Sequence, residues 1–243
     1  MSVTLPEAGP APVTSAEVFG PALAGAEAFA ALLAGPGVER GLLGPREAPR
    51  LWDRHLLNCA GVCELVEDGQ VVLDLGSGAG LPGLVLALLR PEVQVVLVEP
   101  LQRRATFLTE AVEQLGLRNA LVRRARAEEL HGTVEVDVVV ARAVAPLDRL
   151  ATWAMPLLRP GGRLLAMKGE QAATELAAAR PVLHRFGAAE SGVVEAGSEQ
   201  LGTWSRVVVV HRGLTQLATP TRAAKATPKP GGTNATSKRK NRR

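Results

Sequence analysis

The sequence predicts an α/β domain in which a mostly parallel sheet carries helices on both faces. Three observations support this fold class. Short β-branched runs alternate with segments of helical length, the runs are apolar along almost their whole length, and a glycine-rich turn follows the first run. Alternation of this kind indicates crossover connections between parallel strands. Continuous apolar runs are typical of strands that are covered on both faces.

The N-terminal part of the chain is predicted to be helical. Residues 1–13 are rich in Pro and Ala, and we expect them to be flexible. Apolar residues recur at helical spacing over 14–35, and a Gly-Pro-Gly sequence ends that pattern. A second helix is predicted after Pro49, through LWDRHLLNCAGVCELV. We therefore expect residues 14–67 to form a helical extension that packs on the core domain.

The core domain is predicted to span residues 68–213 and to contain six strands. The β-branched runs lie at 71–75, 93–99, 119–122, 136–141, 162–168 and 204–211. Segments of helical pattern or length separate the first five runs, as a parallel sheet requires. The remaining residues, 214–243, are rich in Pro, Gly, Thr, Lys and Arg, so we expect a disordered basic tail.

The charge distribution separates a mildly acidic body from this basic tail. Residues 221–243 carry eight basic and no acidic residues, which leaves 20 basic and 24 acidic residues, a net charge of −4, in residues 1–220. No apolar run approaches the roughly 18–20 residues of a membrane span, and no signal peptide is visible. The two cysteines, Cys59 and Cys63, cannot build a disulfide framework. We expect a cytoplasmic protein without membrane segments or a metal site.

One segment, VVLDLGSGAGLPG, combines a strand, a glycine-rich turn and a helix start. Gly78, Gly80 and Gly83 fit the dinucleotide-binding fingerprint, whereas Gly76, Gly78 and Gly80 after Asp74 fit the turn of S-adenosylmethionine-dependent methyltransferases. The register favours the second interpretation, because Gly76 comes directly off the strand. A carboxylate such as Asp74 would also repel a pyrophosphate but attract a cationic sulfonium. We therefore predict that Asp74, Gly76, Gly78 and Gly80 bind S-adenosyl-L-methionine.

Polar residues at the ends of the later strands extend the predicted site. Glu99 ends the second strand and is placed to accept hydrogen bonds from ribose hydroxyls. Glu128 follows the third strand, where an acid could contact the adenine or its ribose. Arg142 follows the fourth strand, on the side where an acceptor would bind, and Lys168 ends the fifth. Neither an Asn/Asp-Pro-Pro-aromatic tetrad nor a Pro-Cys nucleophile is present at the fourth strand.

Several of these motifs together resemble the RsmG (GidB) family, whose members methylate N7 of a guanine in bacterial 16S ribosomal RNA. They are DLGSGAGLPG, VEP with LQRRATFL, RAEE, ARAVAPL and LLAMKGE, and PREAPRLWDRHLLNCA resembles the family's Arg-Trp-x-x-His-Leu-Leu-Asp-Ser helix. The resemblance covers roughly residues 18–170 and is greatest to actinobacterial forms. It departs from the family at Ala141, usually Ser, and at Asn58 and Cys59, usually Asp-Ser.

The resemblance implies a Rossmann-like class I methyltransferase fold, S-adenosyl-L-methionine as cofactor, and a guanine in the decoding-site loop of the small subunit as acceptor. It implies cofactor contacts at Gly76, Leu81, Ala127, Glu128 and Arg142. Guanine N7 has no proton to lose, so no general base is expected, and Arg142 and Lys168 are expected to position the acceptor. The partner would be 16S rRNA or the 30S subunit, bound by a monomer through Arg46, Arg50, Arg54, Arg123, Arg124 and Lys168.

Three other functions compete with this one. A small-molecule methyltransferase, or one acting on another RNA, would share the cofactor half of the site, but the small-molecule enzyme would not need the basic tail. A nicotinamide dehydrogenase is disfavoured by the glycine register. A non-catalytic RNA-binding assembly factor would not need the cofactor motifs.

Overall fold

The structure is a computed structural model that describes residues 8–214. The expectations for residues 1–7 and for the tail at 215–243 therefore concern segments outside the described residues. Within the described range, a single seven-stranded sheet forms the centre of the protein. Helices cover both of its faces, which confirms the α/β prediction.

The strand order in the sheet is β3-β2-β1-β4-β5-β7-β6. Strands β1 to β5 are parallel, and β7 runs antiparallel between β5 and β6. The predicted runs all form strands, with ends that differ by at most four residues. The strands are β1 (Val71–Leu75), β2 (Gln94–Val98), β3 (Ala120–Arg123), β4 (Val136–Arg142), β5 (Leu158–Lys168), β6 (Ala188–Ala196) and β7 (Ser205–Arg212).

The eight α-helices in the described part of the chain are accompanied by short 3₁₀ and π-helical segments. The α-helices are α1 (Val13–Phe19), α2 (Leu23–Leu32), α3 (Asn58–Val62), α4 (Gly83–Leu89), α5 (Gln102–Gln114), α6 (Ala127–Leu130), α7 (Leu147–Ala154) and α8 (Ala172–Arg185). The others are the 3₁₀ segments Gly20–Ala22, Pro45–Arg50, Cys63–Leu65 and Met155–Leu157, and the π-helical segments Leu33–Gly37 and Leu51–Leu57.

Two apolar clusters, one on each face of the sheet, form the core. The N-terminal helices, α4 and α5 pack on the first face, and α6, α7 and α8 pack on the second. Neighbouring residues of one strand divide between the clusters: Val72 belongs to the first and Leu73 to the second. Since side chains alternate along a strand, β1 is buried on both faces, which explains its continuous apolar sequence.

The chain direction across the sheet reverses between β1 and β4. From β1 the chain moves outward through β2 to β3, and it then returns to pair β4 with the other side of β1. In open α/β sheets, ligands bind outside the carboxyl ends of the strands at such a switch point. The turn after β1 and the loop after β4 both start there, so this edge is where a functional site is expected.

One strand of the sheet was not expected from the sequence. Strand β6 was not predicted, because Ala188–Ala196 is a half-exposed edge strand whose only β-branched residues are Val193 and Val194. The chain is helical over 14–35 and after Pro49 as expected, but both helices include 3₁₀ and π-helical turns. The extra strand makes the C-terminal part of the sheet antiparallel, which brings the start of β7 to the ligand-binding edge.

The expectation that no segment approaches the length of a membrane span was also wrong. Val13–Gly37 is helical throughout and is, by length and composition alone, apolar enough to cross a membrane. Its Ala and Gly residues raise the mean hydropathy without forming a long run of large side chains. In the structure Phe19, Phe29 and Leu33 are buried in the core cluster on the first face of the sheet. The segment therefore packs on the sheet through part of its surface, and a third of its most apolar window is buried.

Candidate active site

The glycine-rich turn between β1 and α4 lies at the switch point. The backbone N–H groups of Gly76 and Ser77 both donate to the carbonyl oxygen of Val98, at 2.9 and 3.1 Å. Gly76 has φ +71°, and a Cβ there would lie 3.0 Å from Cγ2 of Val144. A side chain at Gly76 would therefore be strained and would collide with the loop after β4. Gly76 and Gly78 are only partly buried, so this turn forms a cradle of partly accessible backbone beside that loop.

Asp74 lies beneath this turn and holds it in place. Its Oδ2 atom accepts the N–H of Gly83 at 3.0 Å, while the Asp74 carbonyl oxygen accepts the hydroxyl of Ser77. The carboxylate is fully buried, and its Oδ1 atom has no hydrogen-bond partner among the described residues. Burial raises the pKa of Asp74 to about 7, against the lowering effect of the Gly83 and Ser77 hydrogen bonds. Its contacts support the turn, and direct contact with a cofactor stays a prediction.

Replacing Asp74 with Asn is expected to stabilise the protein above neutral pH. The unfolded carboxyl ionises near its usual value of 3.8 and the folded one near 7, so stability is lost as pH rises between these values. Asn cannot ionise, and its Oδ1 can still accept the Gly83 N–H. The free energy of unfolding of D74N minus that of wild type should therefore increase by about 1.4 kcal/mol for each unit that the pH rises between these two values. Denaturant unfolding at pH 5, 6, 7 and 8 measures this difference.

Asp137 provides a control, because replacing it with Asn is expected to change the stability in the opposite direction. Burial raises the pKa of this carboxyl, but the Val71 N–H and the Arg159 guanidinium outweigh burial and hold the pKa below its usual value. D137N should therefore lower the stability near neutral pH, and the loss should shrink under acid conditions as the wild-type carboxyl protonates. If D74N and D137N shift stability in the same direction at pH 8, the electrostatic account of Asp74 is wrong.

Glu99 follows β2 and joins the turn to the next helix. Its Oε2 atom accepts the N–H of Gly78 at 3.1 Å, and its Oε1 atom accepts the N–H of Leu101 at 3.0 Å, at the start of α5. The side chain is almost fully buried, and Arg104 lies 3.8 Å from Oε2. Each carboxylate oxygen has a second lone pair, so these contacts leave acceptor capacity for a ligand. The structure thus brings Glu99 together with Gly78.

The residues implied only by the family resemblance lie around the same strand ends. Leu81 is buried among the residues of the first core cluster. Ala127 starts α6 and packs in the same cluster as Leu75 and Val98, the last residues of β1 and β2. Glu128 is exposed at the start of α6. Ala127 therefore belongs to the core on the second face of the sheet, whereas the described contacts assign no partner to the Glu128 side chain.

A separate cleft of about 720 Å³ opens beside the loop that follows β4. It lies at the same edge of the sheet as the glycine turn, where β4 and β5 end and β7 begins. Five of its lining residues are basic and two are acidic. The lining consists of Arg50, Asp53, Arg54, Asn58, Arg142, Ala143, Met167, Lys168, Gly169, Glu175, Trp204, Ser205 and Arg206.

Arg142 is held firmly in the wall of this cleft. Its Nη2 atom donates to the carbonyl oxygen of Arg54 and to Nδ1 of His55, both at 2.9 Å, and its Nη1 atom lies 3.3 Å from Sγ of Cys59. Burial raises the pKa of the Cys59 thiol, so the sulfur stays neutral beside the guanidinium. The next residue, Ala143, has φ +54°, a backbone conformation that side chains rarely adopt. Such strain is concentrated at functional sites.

Lys168 is bonded inside the protein rather than free as a mobile charge. Its Nζ atom donates to Glu175 at 2.7 Å and to the carbonyl oxygen of Ala145 at 2.8 Å. Glu175 also accepts the N–H of Leu147 at 3.0 Å. Lys168 was expected to contact RNA and to position the acceptor, and the sequence alone could not show that α8 carries a carboxylate to its side chain. The pair fixes the loop between β4 and α7 against α8.

The remaining predicted RNA-binding arginines are all exposed, and they lie in three places. Arg50 and Arg54 line the cleft, and Arg54 is paired with Glu47. Arg123 ends β3 and Arg124 follows it, two strands away from the glycine turn. Arg46 lies before the cleft-lining segment and is not part of the cleft wall. Only two of these five arginines therefore adjoin Arg142.

Sequence reasoning missed the contribution of β7 to this cleft. Trp204, Ser205 and Arg206 enter it because β7 runs antiparallel to β5, which pairs Arg206 with Lys168. Asn58 donates to the carbonyl oxygen of Trp204 at 2.8 Å and thereby ties α3 to this strand. The sequence signal that could have indicated this contribution is Trp204 with Arg206 two positions later, at the start of a strand. Among the described residues, no cluster of His, Cys, Asp and Glu could hold a metal ion.

Comparison with known proteins gives a family match over most of the chain. The family model described as GidB, rRNA small subunit methyltransferase G, matches residues 22–202. Proteins named ribosomal RNA small subunit methyltransferase G are also similar over their length. The protein of Mycolicibacterium gilvum is 56% identical over 84% of this chain and 90% of its own length. That of Thermobifida fusca is 54% identical over 89% of this chain and 92% of its own length.

Solved structures support the fold alone. A transferase from Pyrococcus horikoshii superposes with a TM-score of 0.52 at 14% identity, over 63% of this chain and 61% of its own. The YcgJ protein of Bacillus subtilis superposes with a TM-score of 0.50 at 11% identity, over 65% of this chain and 99% of its own. At such identities the likeness shows the fold and carries no information about function.

Proposed function

Because the chain belongs to the rRNA small subunit methyltransferase G family, we propose that it transfers a methyl group from S-adenosyl-L-methionine to N7 of a guanine in 16S ribosomal RNA. The observation that carries this proposal is the contact between the two halves of the site. The loop after β4 touches the glycine turn through Val144 and lines the cleft through Ala143. One short loop thus separates a cofactor cradle from a basic acceptor cleft.

The residues at the glycine turn suit S-adenosyl-L-methionine. Gly76 and Gly78 both have positive φ angles, and a Cβ at Gly76 would press on Val144. Glu99 offers a carboxylate with free lone pairs at the end of β2. The partnerless Oδ1 of Asp74 lies beneath the turn, and once this carboxyl ionises, near pH 7, its negative charge favours a cationic ligand there. Gly80, Leu81, Ala127, Glu128 and Arg142 complete the proposed cofactor contacts. When bound, the cofactor supplies an electrophilic methyl group.

The acceptor chemistry needs alignment more than proton transfer. Guanine N7 carries an in-plane lone pair and no proton, so the cleft has no proton to remove there. What its residues can do is orient the purine and exclude water. Arg142 presents a planar set of donors that can bind a purine acceptor edge in one orientation. We assign Arg142 and Lys168 to this positioning, with no general base.

The charge of the cleft favours an RNA rather than a small neutral acceptor. Arg50, Arg54, Arg142, Lys168 and Arg206 surround it, and Trp204 adds an aromatic face with the Arg206 guanidinium 5.1 Å from the ring centroid. Single-stranded RNA is held by phosphate contacts and by stacking of splayed bases on aromatic or guanidinium planes. Arg46, Arg123 and Arg124 are proposed to contact phosphates further from the acceptor.

The substrate is proposed to be 16S rRNA or the 30S subunit in the cytoplasm, with the chain acting as a monomer. The large apolar residues that are exposed in the described range, Val13, Leu101, Leu121 and Leu214, are few. Oligomer interfaces normally need a contiguous apolar patch. A small-molecule methyltransferase remains the alternative, and a non-enzymatic assembly factor is the second.

Calorimetry tests this assignment against the alternatives. S-adenosyl-L-methionine should bind the protein and NAD should not, and small-subunit RNA should bind with or without the cofactor. Binding of NAD in place of S-adenosyl-L-methionine would contradict the interpretation of the glycine turn. Cofactor binding with no affinity for RNA would favour the small-molecule alternative, and RNA binding without cofactor affinity would favour the assembly factor.

The pair of Lys168 and Glu175 is expected to act on turnover and not on cofactor affinity. Because the pair fixes the loop after β4, K168A and E175Q should each lower turnover by about tenfold, equivalent to about 1.4 kcal/mol of lost positioning. The double variant should lose little more, since both changes break one interaction. Single-turnover kinetics measure these rates. If K168A alone weakens RNA binding while E175Q strengthens it, Lys168 contacts RNA directly instead.

The basic tail is expected to supply RNA affinity that does not depend on sequence. Deleting residues 221–243 removes eight basic residues, so RNA binding should weaken and its dependence on salt should flatten. Methylation should persist at saturating RNA, because the tail contains no proposed cofactor-binding residue. Binding measured from 50 to 200 mM salt compares the slopes. An unchanged slope would show that the tail does not neutralise RNA phosphates.

A further inference from the structure

A short relay of hydrogen bonds links the helical segments before the sheet to Arg142. Glu47 belongs to the 3₁₀ segment Pro45–Arg50, and its Oε2 atom is 2.8 Å from Nε2 of His55. His55 belongs to the π-helical segment Leu51–Leu57, and its Nδ1 atom is 2.9 Å from Nη2 of Arg142. Segments of π-helix are rare and are frequently found at functional sites. The relay therefore connects three separate elements at the edge of the cleft.

The chemistry of the three groups fixes the protonation of His55. A guanidinium can only donate hydrogen bonds, so Nδ1 of His55 must accept and cannot carry a proton. Nε2 must then carry the proton of the neutral ring and donate it to Glu47. Both ring nitrogens are used, and the side chain is buried. Only one of the two neutral tautomers satisfies all three residues.

We propose that His55 is a positioning residue that acts through Arg142, and that it holds the guanidinium in its working orientation only while its ring is neutral. Arg142 has five N–H donors, and the carbonyl of Arg54, the His55 ring and the Cys59 sulfur use three. The Nε–H and one Nη1–H have no acceptor among the described residues. These two donors are left for the ligands of the cleft.

Protonation of His55 would break this arrangement. The proton would occupy Nδ1, remove the acceptor and place a second cation beside Arg142. The charged groups that face the ring are Glu47, Arg54 and Arg142, on three different segments. Burial and the charge of Arg142 lower the pKa of His55 below its usual 6.5, although the Glu47 hydrogen bond opposes them. Turnover should therefore be level near neutral pH and fall in acid as Arg142 is released.

Two isosteric variants separate positioning from base catalysis. The Oδ1 atom of H55N can take the place of Nδ1 and accept from Arg142, without titrating. The side chain of H55Q reaches the Nε2 position and keeps the Glu47 contact, but it offers Arg142 no acceptor. We expect H55N to retain turnover within about threefold of wild type and to lose the acid decline. H55Q should lower turnover tenfold or more at every pH. The double variant of H55Q with R142A should turn over no more slowly than R142A alone, because both changes act on the same interaction.

The contrasting results would overturn the proposal in different ways. Equal turnover and equal pH profiles for wild type, H55N and H55Q would show that the relay does not position Arg142. Loss of activity in both variants, with unfolding temperatures unchanged, would show that the ring takes part in the chemistry itself. If both variants unfold, the proposal is tested instead by measuring which ring nitrogen of His55 carries the proton in the wild-type protein.

Nitrogen NMR of the wild-type histidine rings supplies that second test, independent of activity. His55 should show an unprotonated Nδ1 and a protonated Nε2 at pH 7, and R142A should raise its pKa because a neighbouring cation is removed. A protonated Nδ1, or a pKa unchanged in R142A, would contradict the relay. The turnover measurements rest on the proposed function, whereas the NMR measurements do not. A wild-type protein that methylates no small-subunit RNA would therefore contradict that function and leave the relay to be judged by its NMR.

Discussion

Replacing Arg142 with Ala is expected to raise the dissociation constant for S-adenosyl-L-methionine and to slow methyl transfer together. The guanidinium is the only group proposed to contact both cofactor and acceptor, and it is anchored to Arg54, His55 and Cys59 at the end of β4. Loss of a desolvated charged contact costs on the order of 2–4 kcal/mol. The combined loss in kcat/KM should thus be about 30- to 1000-fold. Calorimetry and single-turnover kinetics measure the two parts.

Arg163 offers a matched control for this substitution. It lies on the neighbouring strand β5, paired with Glu67, and it does not line the cleft. R163A removes the same side chain and should leave cofactor affinity and turnover within about twofold of wild type, because surface ion pairs contribute little. If R142A and R163A have equal effects, Arg142 has no special place in the site.

Replacing Gly76 with Arg is expected to abolish binding of S-adenosyl-L-methionine. Gly76 has φ +71° and lies where a Cβ would already press on Val144 at 3.0 Å. A longer side chain must therefore enter the cofactor cradle or displace the loop after β4. The strain of a positive φ adds about 1 kcal/mol to the loss of stability. Calorimetry should detect no binding at cofactor concentrations 100 times the wild-type dissociation constant.

Gly116 separates the backbone strain from the effect on the site. It has φ +64°, and a Cβ there would meet nothing within 4 Å. G116R should therefore cause similar strain, lower the stability by a similar amount and leave cofactor binding unchanged. Near-normal binding by G76R would contradict the assignment of this turn as the cofactor cradle.

The local features of the cofactor half were predictable from the sequence. Strand β1 has the predicted ends, Val71 and Leu75, because its apolar run stops at a glycine that must turn. The glycines after it adopt the positive φ angles that only a tight turn needs. Here the chemistry lies within one short segment, so spacing along the chain determines spacing in the fold.

The acceptor half could not be predicted in this way. Its cleft combines residues from β4, β5, β7 and the segment Leu51–Leu57, which are far apart in the sequence. The partner of Lys168 is on α8, and the start of β7 reaches this edge only because β6 forms an outer strand. Sequence spacing carries no information about such contacts. The role of His55 was missed for the same reason, since its partner Arg142 is 87 residues away.

The site of methylation on the RNA tests the central claim most directly. The purified protein is incubated with S-adenosyl-L-methionine and with small subunits or 16S rRNA that lack this modification. The RNA is then cleaved chemically at 7-methylguanine and mapped by reverse transcription. The account predicts one new stop, at a guanine in the decoding-site loop, that depends on the cofactor and is absent with G76R. Methyl transfer to another atom or base, or cofactor binding without any methylation of this RNA, would contradict it.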